Sequence, residues 1–265
     1  MVFLYSIPMG VFRFKRFVVA NERSAMKVNT DGVLLGVAMT IKPSDRHLLD
    51  VGTGTGTIAL IAAQRLSEMV AFPKESSDDN ICRQHSLDIQ AIDIDEASAS
   101  EAAENFRNSP WDAMLSALNI TLDDYSVSLA PGKRFDHIFS NPPYFEDSLH
   151  APEQRRNDSR HTSTGLSYRE IHEFAKERLS EDGRVSLVLP ADTEASLTRY
   201  ARMCGLHLFR IVRVRTVPRK QPVRIIAEFS FQRCDSPSDE TIIIQSEGRY
   251  TEEYLALTRD FYLFA

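Results

Sequence analysis

The 265-residue chain has few cysteines and no long apolar run, and both shortages narrow its class. Its three cysteines, Cys82, Cys204 and Cys234, lie far apart and match neither a disulfide framework nor the spacing of a zinc site. No run of roughly 18 or more uncharged apolar residues is present, which argues against a transmembrane helix. Residues 1–8 are apolar but follow no basic region, so we expect no signal peptide. We therefore expect a cytoplasmic protein with reduced thiols and no membrane contact.

The chain also lacks a strong excess of one charge, since its formal net charge is −6. This balance argues against a protein that coats nucleic acid through its overall field. The basic residues are nevertheless clustered, at Arg13, Lys15 and Arg16, at Arg155, Arg156 and Arg160, and at Arg210, Arg213, Arg215, Arg219, Lys220 and Arg224. Local cationic patches on an acidic body are typical of a selective phosphate-backbone binder, although many ordinary surfaces carry them too.

Apolar runs alternate with amphipathic segments along most of the chain. Strands are predicted at residues 47–51, 89–94, 118–122, 135–139, 184–189, 206–214 and 223–231, and helices at 57–69, 96–108, 168–179 and 191–203. This alternation, which ends in a strand pair, predicts an α/β fold with a doubly wound, mostly parallel, seven-stranded sheet and an antiparallel edge strand. Polar residues 70–86 break the pattern and are predicted to form an insertion or a long loop.

A glycine-rich turn follows the first of these strands, in the run Asp50-Val51-Gly52-Thr53-Gly54-Thr55-Gly56. Glycines allow positive φ and let the backbone approach a ligand without a Cβ atom in the way. A dinucleotide-binding turn would prefer G-x-G-x-x-G, but the third residue beyond Gly54 is Thr57. The pattern instead resembles motif I of class I S-adenosylmethionine-dependent methyltransferases, in which Asp50 would help to hold the ligand's amino group. The alternative is a glycine-rich connection that binds no ligand.

Acidic residues end the next two strands. Asp93 can accept both ribose hydroxyls of a cofactor through its two carboxylate oxygens, and Asp95 is the competing candidate. The alternation of the strand favours Asp93. Asp123 or Asp124 would lie near the cofactor's adenine, but either carboxylate could instead cap a helix.

The tetrapeptide Asn141-Pro142-Pro143-Tyr144 follows the fourth strand and should face the same crevice as the glycine turn. The lone pair of an adenine amino group is delocalised into the ring, which makes it a poor nucleophile. The side-chain oxygen of Asn141 and the carbonyl of Pro142 can each accept one N–H and so direct the lone pair towards a methyl donor. Tyr144 can stack on a base that has been turned out of its helix or loop. The alternative is a proline-rich turn without a catalytic role.

Five further runs carry a closer resemblance, namely Phe12-Arg13-Phe14-Lys15-Arg16-Phe17, residues 25–36 (AMKVNTDGVLLG), Asn108-Ser109-Pro110-Trp111, Arg160-His161-Thr162 and Phe261-Tyr262-Leu263-Phe264. With the tetrapeptide they resemble the bacterial tRNA1(Val) N6-adenine methyltransferase family over residues 12–264. The resemblance implies a class I methyltransferase domain at residues 46–265, covered by an N-terminal cofactor-covering segment at residues 1–45 that includes Lys27 and Thr30. The insertion at 70–86 and a smaller one near Asp123 and Asp124 depart from the family pattern.

The resulting hypothesis is methylation of an adenine N6 amino group in tRNA, 3′ of the anticodon, using S-adenosylmethionine and no metal. Cofactor contacts are expected from Lys27, Thr30, Asp50, Gly52, Gly54, Gly56, Asp93 and Asp124, catalysis from residues 141–144, and RNA contacts from Arg155, Arg156, Arg219, Lys220 and Arg224. We expect a monomer without an obligate protein partner. The alternatives are a glutamine N5-methyltransferase of release factors, a DNA or ribosomal RNA methyltransferase, and an inactive cofactor-binding RNA module. The first of these normally has a separate helical N-terminal domain, for which we expect the residues before the first strand to be too few.

Overall fold

The computed structural model describes residues 10–69, 87–143 and 166–265. The strands are β1 (Val11–Arg13), β2 (Val18–Ala20), β3 (His47–Val51), β4 (Asp88–Asp93), β5 (Leu115–Asn119), β6 (Phe135–Ser140), β7 (Leu179–Pro190), β8 (His207–Arg215), β9 (Arg224–Ser230), β10 (Ser238–Ile243), β11 (Gln245–Ser246) and β12 (Arg249–Tyr250). The helices are α1 (Thr30–Ala38), α2 (Thr57–Met69), α3 (Glu96–Arg107), α4 (Leu122–Ser128), α5 (Tyr168–Arg178), α6 (Glu194–Met203) and α7 (Glu252–Thr258).

A central sheet of eight strands organises the molecule, in the order β10-β8-β9-β7-β6-β3-β4-β5. This sheet confirms the predicted α/β class with a mostly parallel sheet. The antiparallel strand was predicted at the edge of the sheet, and that position is wrong. The antiparallel strand β9 lies inside the sheet, between β7 and β8. An eighth strand, β10, pairs in parallel with β8 at the edge. Its first four residues are polar and exposed, so the sequence pattern did not predict it.

The bounds of the predicted elements are close to those observed, with two corrections. The third strand runs over Leu115–Asn119 rather than 118–122, because Thr121 caps the helix that begins at Leu122. The fifth strand begins at Leu179, directly after α5, rather than at Arg184. The strand that the glycine turn follows, His47–Val51, was predicted at the same residues.

Two hydrophobic cores lie on opposite faces of the sheet. Successive side chains of a strand point to opposite faces, so Leu48 belongs to the core with α1, α2 and α3, and Leu49 to the core with α5 and α6. Phe14 in the first core forms a bridge to Tyr262, which joins the N-terminal hairpin β1–β2 to the end of the chain. Among the described helices, none is long and apolar enough to cross a membrane.

A buried ionic network fastens the chain after α1 to the sheet. Arg184 on β7 donates to both carboxylate oxygens of Asp45, at 3.0 and 2.5 Å, and to the carbonyl oxygen of Thr40. Glu228 on β9 accepts from the backbone N–H and the hydroxyl of Thr40, and also from Arg210 at 2.7 Å. Since the charged atoms are paired and hydrogen-bonded, their burial is tolerated.

Candidate active site

A small open cleft lies where β3 and β6 end side by side. Ligands of open α/β sheets bind at such carboxyl ends. The cleft lies between the glycine turn, the segment that precedes α1, and the residue that follows β6. Its described lining is Met26, Lys27, Val28, Asn29, Gly32, Gly52, Thr53, Gly54, Thr55, Thr57, Ile58 and Asn141.

The three glycines of the turn all have positive φ, at +70° for Gly52, +57° for Gly54 and +80° for Gly56. Gly52 and Gly54 line the cleft, and a Cβ on Gly54 would lie 3.4 Å from the carbonyl oxygen of Met26. Gly56 is not part of the described lining. A Cβ there would lie 2.5 Å from Cε1 of Phe106, so this glycine lets α2 begin against α3. The structure thus separates Gly56 from the two glycines that face the cleft.

Asp50 lies beneath this turn and is fully buried. Its Oδ2 accepts a hydrogen bond from the hydroxyl of Thr53 at 2.7 Å, and its Oδ1 has no partner within the described part of the chain. Burial raises the pKa of Asp50 to about 7, the Thr53 bond opposes the shift, and the neighbouring Asp93 carboxylate adds to it. Such an unsatisfied buried oxygen calls for a donor, and a cationic one would suit it best.

The structure distinguishes the two candidate acids at the end of β4. Asp93 accepts from the backbone N–H of Gly54 at 2.8 Å, which places its carboxylate against the glycine turn. Burial raises the pKa of Asp93 above its usual range. Asp95 instead caps α3, accepting from the backbone and hydroxyl of Ser98. Neither acid belongs to the described lining of the cleft.

The acids after β5 lie in the first turn of α4 and are exposed. The hydroxyl of Thr121 caps this helix, accepting from the backbone N–H of Asp124, and donates to the Asp124 carboxylate at 2.8 Å. Neither carboxylate therefore caps the helix. The residue at the end of β5 is Asn119, whose amide donates to the carbonyl oxygens of Asp93 and Ile94. Sequence reasoning missed Asn119 because it placed the end of the strand three residues later.

Asn141 follows β6 and lies in the cleft with a side chain only 5% exposed. The hydroxyl of Ser140 donates to the carbonyl oxygen of Val51 at 2.6 Å, which fixes the end of β6 beside the end of β3. The Asn141 amide lies 3.6 Å from the sulfur of Met26. The structure thus brings Asn141 and the glycine turn together, as the sequence predicted. Pro142 and Pro143 follow directly, whereas Tyr144 lies outside the described residues.

The segment before α1 forms one wall of the cleft. Lys27 lines it and donates to the carbonyl oxygen of Glu22 at 2.5 Å. Thr30, in contrast, is exposed and does not belong to the described lining. Asn29 caps α1 and lines the cleft beside Met26, a pair that sequence reasoning missed. An asparagine before an apolar helical run is a capping signal, but a cap alone does not indicate a ligand.

The basic residues divide into paired and exposed groups. Arg219 and Lys220 are exposed on the turn between β8 and β9, at the sheet edge where β3 and β6 also end. Arg224 instead forms an ion pair with Asp31 at 2.7 Å, next to the start of α1. Arg155 and Arg156 lie outside the described residues.

Two further arginines of the basic run are committed to ion pairs. Arg210 pairs with Glu228 and Glu240, both at 2.7 Å. Arg213 pairs with Glu194 at 2.6 Å and with an aspartate of β10 at 2.9 Å. Three of the six basic residues of this run are therefore paired with acids that lie elsewhere in the sequence.

Comparison with known proteins identifies the family. Residues 37–217 match the model of an RMKL-like methyltransferase domain. The tRNA1(Val) (adenine(37)-N6)-methyltransferase of Bacteroides fragilis is 38% identical over 254 residues, which cover 95% of this chain and 97% of the relative. The enzyme of the same name from Klebsiella pneumoniae is 34% identical over 260 residues, which cover 98% of this chain and 98% of the relative.

The chain belongs to the tRNA1(Val) (adenine(37)-N6)-methyltransferase family.

Solved structures agree on the fold of this family member. The crystal structure of a predicted O-methyltransferase from Agrobacterium tumefaciens superimposes with a TM-score of 0.58 at 16% identity, covering 87% of this chain and 96% of that chain. At such low identity the likeness concerns the class I methyltransferase fold alone. The methyltransferase assignment predicted from the sequence is confirmed by the family.

Proposed function

We propose that this protein transfers the methyl group of S-adenosylmethionine to the N6 amino group of an adenosine in tRNA, adenosine 37, as in the relatives. The observation that carries the proposal is the position of Asn141, which lies in one cleft with Gly52 and Gly54. A methyl donor and an amino-group acceptor must meet in one site, and this cleft contains the motif that we expect for each.

The cleft suits S-adenosylmethionine on three counts. Gly52 and Gly54 line it without side chains, the Oδ1 atom of Asp50 lacks a partner among the described residues, and Asp93 lies against Gly54. We assign Asp50 to the side of the amino-acid moiety and Asp93 to the ribose, with Asp124 near the adenine. When bound, this cofactor supplies an electrophilic methyl group on a sulfonium. Lys27 and the rest of the segment before α1 would cover it.

Asn141 and Pro142 would orient the amino group of the substrate. The Asn141 side-chain oxygen and the Pro142 carbonyl each accept one N–H, which fixes the direction of the nitrogen lone pair. The fixed φ of the two prolines holds that carbonyl in place. No strong base is needed, since the nitrogen becomes acidic only after it has gained the methyl group.

The tRNA contacts are proposed at the same edge of the sheet. Arg219 and Lys220 are exposed there and suit phosphate contacts. Arg224 would contribute only in addition to its pair with Asp31. Tyr144, Arg155 and Arg156 remain predictions from the sequence, as do the monomeric state, the cytoplasmic location and the absence of a metal.

The test is methyl transfer to a valine tRNA transcript with labelled S-adenosylmethionine, followed by mass spectrometry of the nucleosides. We expect N6-methyladenosine at position 37 of the transcript, and none when that adenosine is replaced by guanosine. Asn141→Ala should lower kcat at least about 100-fold, since orientation of reacting groups contributes strongly to rate. The same variant should bind S-adenosylhomocysteine within about threefold of the wild type.

Two results would overturn the proposal. Label on a release-factor glutamine but not on RNA would instead indicate the glutamine N5-methyltransferase. Cofactor binding with no transfer to any RNA would favour the inactive RNA-binding module.

A further inference from the structure

Three polar side chains on one face of α3 are buried against the N-terminal segment. Ser98, Glu101 and Asn105 are spaced at i, i+3 and i+7, which places them on one side of a helix. All three are nearly inaccessible, with exposed fractions of 1–2%. Polar groups buried to this degree must have partners, and here the partners are mainly backbone atoms of residues 20–24 and the glycine turn.

Glu101 carries most of this contact. Its Oε1 accepts from the backbone N–H groups of Glu22 and Arg23, and its Oε2 from that of Ser24, each at 2.9 Å. Although burial alone would raise the pKa of Glu101, these three bonds and the Arg23 guanidinium lower it below its usual value. The side chain is therefore ionised at neutral pH, and its bonds are charge-assisted.

Two neighbouring contacts extend this attachment to the cleft. The Asn105 amide donates to the carbonyl oxygens of Ala20 at 3.0 Å and of Thr55 at 2.9 Å, which links the segment to the glycine turn. The hydroxyl of Ser24 lies 3.0 Å from both the hydroxyl of Ser98 and the carbonyl oxygen of Met26. Glu101 thus fixes the chain two residues before Met26, which lines the cleft.

We propose that Glu101 is a positioning residue that sets the affinity for S-adenosylmethionine by holding residues 22–28 against the glycine turn. The inference rests on the proposed function, since it takes the cleft to be the cofactor site. Glu101 itself does not belong to the described lining. It acts through Ser24 and Met26, and so its loss should affect cofactor binding more than the chemical step.

The test compares Glu101→Gln and Glu101→Ala with Glu104→Gln. Glu104 lies almost one turn further along α3 and pairs with the Arg23 side chain, but its side chain is about half exposed and, among the described contacts, does not bind the backbone of the segment. We expect both Glu101 variants to raise the KM for S-adenosylmethionine and the Kd for S-adenosylhomocysteine about 10-fold or more, as the loss of charge-assisted bonds implies. Their kcat at saturating cofactor should stay within about threefold, and Glu104→Gln should match the wild type.

Hydrogen exchange of the 22–24 amides gives a readout independent of activity, and we expect faster exchange in both Glu101 variants. Wild-type cofactor affinity in Glu101→Gln would overturn the inference, whether or not those amides exchange faster. A fall in kcat without a rise in KM would overturn it as well. If Glu101→Ala does not fold, the nearly isosteric Glu101→Gln decides. A wild-type protein that binds no S-adenosylhomocysteine would refute the proposed function instead.

Discussion

Replacing Asp50 by asparagine should make the ligand-free protein more stable at pH 8. The carboxyl is fully buried with Oδ1 unpaired among the described residues, and burial raises its pKa from 3.8 to about 7. An acid whose folded pKa is raised keeps its proton longer in the folded state. The free energy of unfolding therefore falls as pH rises from about 4 to about 7.

The size of this effect follows from the shift. About three pKa units at 1.36 kcal/mol each give an upper value of about 4 kcal/mol lost by pH 8. The Asp50→Asn amide stays neutral but leaves an N–H in the place of an unpaired oxygen, at a cost of about 1 kcal/mol. We expect the variant to exceed the wild type by up to about 3 kcal/mol at pH 8, and to be slightly less stable near pH 4.

The same substitution should weaken cofactor binding. A ligand that brings a cationic amino group towards Asp50 favours the ionised carboxylate, so binding at pH 6 should release close to one proton in the wild type. As the pH increases towards 7, the wild-type affinity for S-adenosylhomocysteine should rise by up to about tenfold per pH unit, and above pH 7 it should level off. Titration calorimetry in buffers of different ionisation enthalpy measures both effects. The Asp50→Asn variant should bind more weakly and without this pH dependence.

The reasoning has two separate points of failure. A variant less stable than the wild type at pH 8 would mean that the ionised carboxylate has a stabilising partner, contrary to the geometry. A variant that is stabilised but binds S-adenosylhomocysteine with the wild-type pH profile would remove Asp50 from the cofactor site. The glycine turn would then bind the ligand through its main chain alone.

Three further changes test packing, the buried network and the RNA surface. Gly56→Ala should lower the free energy of unfolding, measured by chemical denaturation, by about 2 kcal/mol or more, because its φ is +80° and the new Cβ would lie 2.5 Å from Phe106. An unchanged denaturation midpoint would contradict this. Arg184→Met should cost about 3–5 kcal/mol, because the buried Asp45 carboxylate loses its ion-pair partner and keeps, among the described contacts, only the backbone N–H of Lys42. Adding Asp45→Leu should recover much of the loss, whereas additive losses would oppose the pairing. Lys220→Ala should lower the salt slope of tRNA binding by about one, and an unchanged slope would exclude the residue from the interface.

Local sequence pattern was enough to predict the strand and the helix on either side of the glycine turn. The strand at His47–Val51 and the helix at Thr57–Met69 were predicted at the residues where they occur. Their signals are short-range, consisting of an apolar run, glycines that permit positive φ, and helical periodicity. The meeting of Asn141 with the glycine turn also followed from sequence, because the carboxyl ends of parallel strands share one edge of the sheet.

Contacts between residues distant in sequence could not be predicted in this way. Arg224 and Asp31 are separated by 193 positions, and a run of arginines without a nearby acid looks unpaired until the chain folds. The bonds from Glu101 to the backbone of residues 22–24 could not be predicted either, since the sequence showed only a helix rich in alanine and glutamate.

The sequence by itself determined the class of fold, the glycine turn and the tetrapeptide, because each of these depends on neighbours within a few residues. Only the tertiary structure decided which charges are paired, which glycine serves packing, and which carboxylate binds the backbone of residues 22–24. Those outcomes depend on which side chains a fold brings within about 3 Å of each other, since a hydrogen bond or ion pair depends on that separation and not on distance along the chain.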